Sequence, residues 1–147
     1  MTTNIHATTV LIGAAGVLIR GPSGSGKSAL AGRLLDAAVR QDVFAALVAD
    51  DRTDVCARNQ RLIGSCPAPL EGLMEVRFYG LARVPWQKAA VIRLVVDFVD
   101  AGAADRYPDE VAHWVALEGV RLAAIKLPAG ATEADQIIFR CLNATTD

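Results

Sequence analysis

A chain of 147 residues can bury one sizeable core and is short for two domains. Its 52% hydrophobic and 21% charged residues argue against disorder, and a net charge of -1 gives no general attraction to nucleic acid or to an anionic membrane. The longest strongly apolar run, 89 to 99, carries Arg93 and Asp97 and is too short to span a bilayer; the N-terminus lacks the basic and apolar regions of a signal peptide. The chain therefore reads as soluble and cytoplasmic, with no membrane or nucleic-acid partner. Cys56, Cys66 and Cys141 are far apart, with no C-x-x-C pair and no histidine at zinc-ligand spacing, so reduced, structural thiols are expected.

In chain order, an isolated His6 precedes two strand signals, 8–12 and 17–20, which flank Gly13-Ala14-Ala15-Gly16 as a hairpin. The second strand runs into Gly21-Pro22-Ser23-Gly24-Ser25-Gly26-Lys27-Ser28, which satisfies G-x-x-x-x-G-K-[ST] at every fixed position. Leu30, Leu34, Leu35 and Ala38 then recur at helical spacing, predicting a helix over 28–40. Ala45 to Ala49 reads as a buried strand ending at Asp50-Asp51, and 55–57 can pair with 61–63 across Arg58-Asn59-Gln60. Further strands are predicted over 74–77, 91–99 and 120–125, and a short helix over 109–117. A last helix opens at Thr132, with Asp135 three residues on in a capping-box pattern and Ile138, Cys141 and Leu142 as its apolar face. The sum is a single mixed α/β unit with strands in excess, unlike the regular strand-helix alternation that a parallel sheet requires.

The phosphate-binding pattern names its own chemistry. Glycines let successive backbone N–H groups converge on a phosphate, Lys27 can reach the β- and γ-phosphates, and the Ser28 hydroxyl is placed to ligate Mg2+. The helix that follows adds its unpaired N–H groups and the positive end of its dipole. Asp50 and Asp51 close an apolar strand, where α/β proteins build sites facing such a loop. One carboxylate could hold Mg2+ while its neighbour accepts a proton, the two pointing to opposite faces; a solvated Asp-Asp turn is the plain alternative. Glu75, with Arg77, is expected on the face opposite the core residues Met74 and Val76, where it serves either a metal or an ion pair with an arginine. His6 and Arg106 carry no strong signal of their own.

Taken in order, His6, the loop ending Lys27-Ser28, Leu47-Val48-Ala49-Asp50-Asp51-Arg52-Thr53-Asp54, Glu75-Val76-Arg77 and Asp105-Arg106 resemble the catalytic domain of the HPr kinase/phosphorylase family. The resemblance implies a P-loop domain of the phosphoenolpyruvate-carboxykinase-like type, with a strand-rich mixed sheet. It also implies a single catalytic domain over 1–147, without the N-terminal domain of longer members. The implied reaction is ATP- and Mg2+-dependent phosphorylation of a serine on the phosphocarrier protein HPr, with reverse phosphorolysis, in regulation of the phosphotransferase system. Gly21 to Ser28 would bind ATP, Ser28, Glu75 and Asp51 would hold Mg2+, Asp50 would be the general base, and His6 and Arg106 would stand at the active site. A hexamer is implied as well.

The chain departs from the family pattern where Phe78 replaces the glycine after E-[IV]-R and where Pro128-Ala129-Gly130-Ala131 stands for P-G-R-N without its arginine. A glutamate soon after the loop is likewise replaced by an Ala/Leu continuation. Two other functions fit the loop: a small-molecule P-loop kinase, and a nucleotide-binding regulatory module without catalysis.

Overall fold

The computed structural model describes residues 2–100 and 112–144. Its elements in chain order are β1 (Thr3–Ile5), β2 (Ala7–Ile12), β3 (Ala15–Arg20), α1 (Lys27–Arg40), β4 (Ala45–Ala49), β5 (Thr53–Arg58) and β6 (Arg61–Ser65). They continue with β7 (Leu73–Val76), β8 (Gly80–Arg83), β9 (Ala89–Val99), β10 (Ala112–Leu117), β11 (Val120–Pro128) and α2 (Ala134–Ala144). The main sheet runs β1-β5-β6-β9-β3-β2-β4, and β11 adds to it by pairing parallel with β9 and antiparallel with β10. A separate hairpin, β7-β8, lies outside that sheet.

Strand β9 organises the sheet because its eleven residues pair with three partners: antiparallel with β6, parallel with β3 and parallel with β11. Its register against β3 slips by one residue, from Gly16↔Ile92 to Val17↔Leu94, so Arg93 is left over as a bulge. The slip moves the apolar set to the other face. Ile92 joins a core cluster with Leu18, Val55, Leu62 and Val95, whereas Leu94, Val96 and Phe98 pack with the helices. Gly16 is required at this crossing, since a Cβ there would stand 2.8 Å from the Val91 carbonyl oxygen.

Helix α1 buries Leu30, Ala31, Leu34, Ala37 and Ala38, spacings of 3.6-residue periodicity, against Val10, Val17, Ile19 and Leu47 of the sheet. Each buried leucine contributes about 1.5–3 kcal/mol relative to exposure. Helix α2 covers the same face through Ile138, Phe139 and Leu142. The two-sided core fixes which end of β3 and β4 emerges together, and that end carries the phosphate loop and the two aspartates.

The strands predicted at 8–12, 17–20, 45–49, 55–57, 61–63, 74–77, 91–99 and 120–125 all form, as do both long helices, with ends shifted by a few residues. The helix predicted over 109–117 does not: 112–117 is strand β10, while 109–111 fall outside the described residues. The apolar residues there satisfy period two as well, with His113, Val115 and Leu117 half-buried and Trp114 and Ala116 exposed. Glu118 and Gly119, at φ 50° and 78°, form a hairpin turn into β11, and that turn decides the matter. The short strands β1 and β8 carried no sequence signal. Val76 also departs from expectation: Met74 is buried but Val76 is exposed, because β7 leaves the core toward the free tip of its hairpin.

Candidate active site

The phosphate loop leaves β3 at Arg20, which is clamped to Asp97 of the adjacent parallel strand by two hydrogen bonds, Nε to Oδ1 at 2.6 Å and Nη2 to Oδ2 at 2.9 Å. Gly24 and Gly26 adopt φ 81° and 101°, backbone conformations that L side chains rarely take. Gly26 begins α1 without a side-chain cap, and no acidic residue occupies the first turn. The free N–H groups and positive dipole end of α1 are therefore left for an external anion. Lys27 is almost fully buried, and its Nζ donates to the carbonyl oxygens of Gly21 at 2.9 Å and Pro22 at 3.1 Å, which folds the ammonium over the loop. Beneath the loop the Ser25 hydroxyl is buried with no hydrogen-bond partner.

Asp50 sits one residue beyond β4 and ties three elements together. Its Oδ1 accepts from the Ser28 hydroxyl of α1 at 2.6 Å and from the Thr8 hydroxyl of β2 at 3.1 Å, and its Oδ2 accepts the Glu75 N–H of β7 at 2.9 Å. Asp51 takes a different direction. The Arg52 N–H donates to the Asp50 carbonyl at 2.7 Å, closing a three-residue turn with Asp51 at φ 67°, a strained conformation for a non-glycine residue. This turn presents the Asp51 carboxylate to His6, with Nε2 and Oδ1 2.6 Å apart, while the Asp51 N–H donates to the Thr8 hydroxyl at 3.1 Å.

Thr8 thus couples the two aspartates, and sequence reasoning passed over it. The legible signal was a hydroxyl pair, Thr8-Thr9, inside an otherwise apolar strand. Thr53, fully buried, donates to the Ala7 carbonyl at 2.9 Å and meets Thr9 Oγ1 at 2.9 Å, so β5 holds β2 in place behind the site. A cleft of about 1190 Å3 joins Gly24, Lys27 and Ser28 to Asp51, Glu75 and Arg77. Of the residues singled out from sequence, His6, Asp50, Asp51, Ser28 and the Glu75 backbone are brought together at one end of the sheet. The Glu75 side chain is exposed, and Arg106 lies outside the described residues.

The family model of the HPr serine kinase C-terminal domain matches residues 1–138. The chain belongs to this family. Among the curated relatives, the HPr kinase/phosphorylase of Limosilactobacillus reuteri is 43% identical over 82 residues, 55% of this chain and 24% of the relative. That of Streptococcus salivarius is 31% identical over 139 residues, 86% of this chain and 42% of the relative. The chain thus spans a quarter to two fifths of the length of these two relatives. Among solved structures, the Hpr(Ser) kinase/phosphatase from Coxiella burnetii superposes with a TM-score of 0.82 at 23% identity, covering 98% of this chain and 90% of that one. The likeness shows a shared strand-rich α/β fold.

No group of three or more His, Cys, Asp or Glu residues among those described is placed to hold a metal ion. A divalent cation here would take few protein oxygens, with phosphate and water supplying the rest, which is the usual coordination of Mg2+. The Ser28 hydroxyl, with the Asp51 and Glu75 carboxylates lining the same cleft, is a donor set of that kind. The uncapped helix start, the two left-handed glycines and Lys27 fit a nucleotide phosphate on the same grounds. No helix among the described residues is long and apolar enough to cross a membrane.

Proposed function

We propose that the chain transfers the γ-phosphoryl group of ATP to a serine of HPr, and that the same site runs the reverse phosphorolysis of phosphoserine-HPr. The observation that carries this reading is the junction of the phosphate loop with Asp50 through the 2.6 Å hydrogen bond from Ser28. Family membership supports HPr as the acceptor.

In the proposed reaction the Gly21 to Ser28 backbone and Lys27 hold the phosphates of ATP, with Lys27 exchanging the loop carbonyls for phosphate oxygens. Ser28, with Asp51 or Glu75, would hold Mg2+, which would supply neutralisation of the phosphate charge. Asp50, oriented by Thr8, Ser28 and the Glu75 N–H, accepts the proton of the HPr serine as its oxygen attacks the γ-phosphorus and the bond to ADP breaks. In reverse a phosphate oxygen attacks the phosphoserine phosphorus as the bond to the serine oxygen breaks, and Asp50 takes the proton of the phosphate and passes it to the leaving serine oxygen, giving serine and pyrophosphate. His6 holds Asp51 at the mouth of the site. A cytoplasmic homo-oligomer acting on the phosphotransferase system completes the reading.

The test is transfer of labelled phosphate from ATP to HPr of the same cell, with phosphoserine identified by mass spectrometry. Phosphoserine formation that requires Mg2+ and disappears in Lys27→Ala is expected. ATP turnover with a small metabolite and none with HPr would replace this reading with a small-molecule kinase.

A further inference from the structure

At the end of the sheet opposite the phosphate loop, a second cavity of about 630 Å3 opens beside the Gly13-Ala14 turn between β2 and β3. Helix α1 runs between the two places: its first residue follows the loop and Gln41, just past its last, lines this cavity. Fourteen residues separate its ends by about 21 Å. Arg61, Arg93 and Arg121 line the cavity together with Trp114, and no aspartate or glutamate does. None of the three arginines is ion-paired among the described residues. In a chain of net charge -1, this is a local cluster of positive charge with no carboxylate paired to it among the described residues.

The fold places each arginine. Arg61 opens β6, Arg93 is the residue left over by the bulge between β3 and β9, and Arg121 is the second residue of β11. The Arg121 guanidinium stacks over the Trp114 ring at 4.6 Å, so the two exposed side chains present a flat surface beside the cavity. Leu62 and Leu122 supply an apolar floor. The negative end of α1 is muted: the carbonyls of Ala37, Ala38 and Val39 already accept from the N–H groups of Gln41, Val43 and Asp42.

We propose that this cavity binds a small organic anion with a flat aromatic body and a phosphate group, an aryl or heteroaryl phosphate. Guanidinium groups match phosphate oxygens with two parallel hydrogen bonds, the Trp114-Arg121 pair offers a stacking face, and the volume suits a molecule of that size. The site is separate from the phosphate loop and needs no phosphoryl transfer.

Calorimetric titration of the full chain with 1-naphthyl phosphate tests it. One saturable site is expected, weakened about tenfold by Arg93→Gln and by Arg121→Gln, each of which removes a charge-assisted hydrogen bond. Lys27→Ala, which disables the phosphate loop, and Arg83→Gln, on the distant β7-β8 hairpin, are expected to bind as the native chain does. 1-Naphthol and inorganic phosphate should each bind at least about tenfold more weakly, because each supplies one half of the recognition. Should either arginine variant melt below the assay temperature, Arg61→Gln gives the same reading. Absence of a saturable site, indifference to the arginine substitutions, or loss of binding in Lys27→Ala overturns the proposal.

Discussion

The Ser28 hydroxyl donates a 2.6 Å hydrogen bond to Oδ1 of Asp50, linking the first turn of α1 to the end of β4 across 22 residues of chain. The bond makes the phosphate loop and the acidic strand end a single unit, because Asp50 is also held by Thr8 and by the Glu75 N–H. Asp51, its neighbour in sequence, is turned to His6 instead. Two adjacent carboxylates therefore occupy different environments, and substitutions should separate them.

Asp50→Asn is expected to lower kcat for HPr phosphorylation by about 10²–10⁴-fold, the usual contribution of a positioned general base. Nucleotide affinity should change much less, since the loop and Lys27 remain. Asp51→Asn should act mainly through the metal, raising the Mg2+ concentration needed for half-maximal rate. Steady-state kinetics across a Mg2+ series, with nucleotide binding measured separately, distinguishes the two; equal kcat losses at saturating Mg2+ would show that both aspartates serve one step.

A second prediction concerns Arg20 and Asp97, which meet in a two-bond pair at the start of the loop with side chains 31% and 18% exposed. Removing one partner of a fully buried pair costs about 3–5 kcal/mol, and partial exposure reduces this to roughly 1–3 kcal/mol. Arg20→Leu and Asp97→Leu should each lower the melting temperature by roughly 2–4 °C per kcal/mol lost, and the double variant should recover part of the loss. Thermal melts of the three proteins suffice. Singles that melt like the native chain would mean that the pair is solvated and anchors nothing.

How much of this was legible in the sequence follows from the range of each interaction. The phosphate loop, the apolar run before Asp50 and the face of α1 are local patterns, and all lie where expected. The divergence of Asp50 and Asp51 was anticipated from strand alternation, yet its cause is the tight turn after β4. Arg20 and Asp97 are 77 residues apart, and Thr8 gains its role from a neighbouring strand, so neither pairing has a local signature. The strand at 112–117 was misread because a short apolar run satisfies helical and strand periods alike until its turn is recognised.

Cysteine reactivity gives a third prediction. Burial pushes the Cys66 thiol above its ordinary range, and the nearby charges of Glu71, Asp54 and Asp50 push it further. The folded state therefore disfavours the thiolate: its contribution to stability is intact below the unfolded thiol's pKa and is lost as pH rises through the folded one. At mildly alkaline pH, alkylation of Cys66 by iodoacetamide should be slower in the folded chain than in concentrated urea, and Asp50→Asn should quicken it slightly. Peptide mass spectrometry over time reads both rates. A folded rate matching the urea rate would show that Cys66 is open to solvent.

The last prediction concerns Phe78, which stands where the resemblance leads one to expect glycine. Phe78 holds φ 69° at the tip of the β7-β8 hairpin with 97% of its surface exposed, and the Arg77 guanidinium lies 5.1 Å from its ring centroid. A left-handed conformation costs a non-glycine residue roughly 1–2 kcal/mol. Phe78→Gly removes that strain, loses about 0.5 kcal/mol of exposed cation–π attraction, and gives up roughly 0.5–1 kcal/mol to the greater freedom of glycine in the unfolded chain. The net change should lie within about 1 kcal/mol of zero. Phe78→Ala, in contrast, loses the cation–π contact and keeps the strain, so it should be the less stable of the two variants. Urea titrations at matched pH and salt give the order directly. Alanine proving more stable than glycine would show that the tip relaxes out of the left-handed region, and that this backbone turn does not depend on its φ.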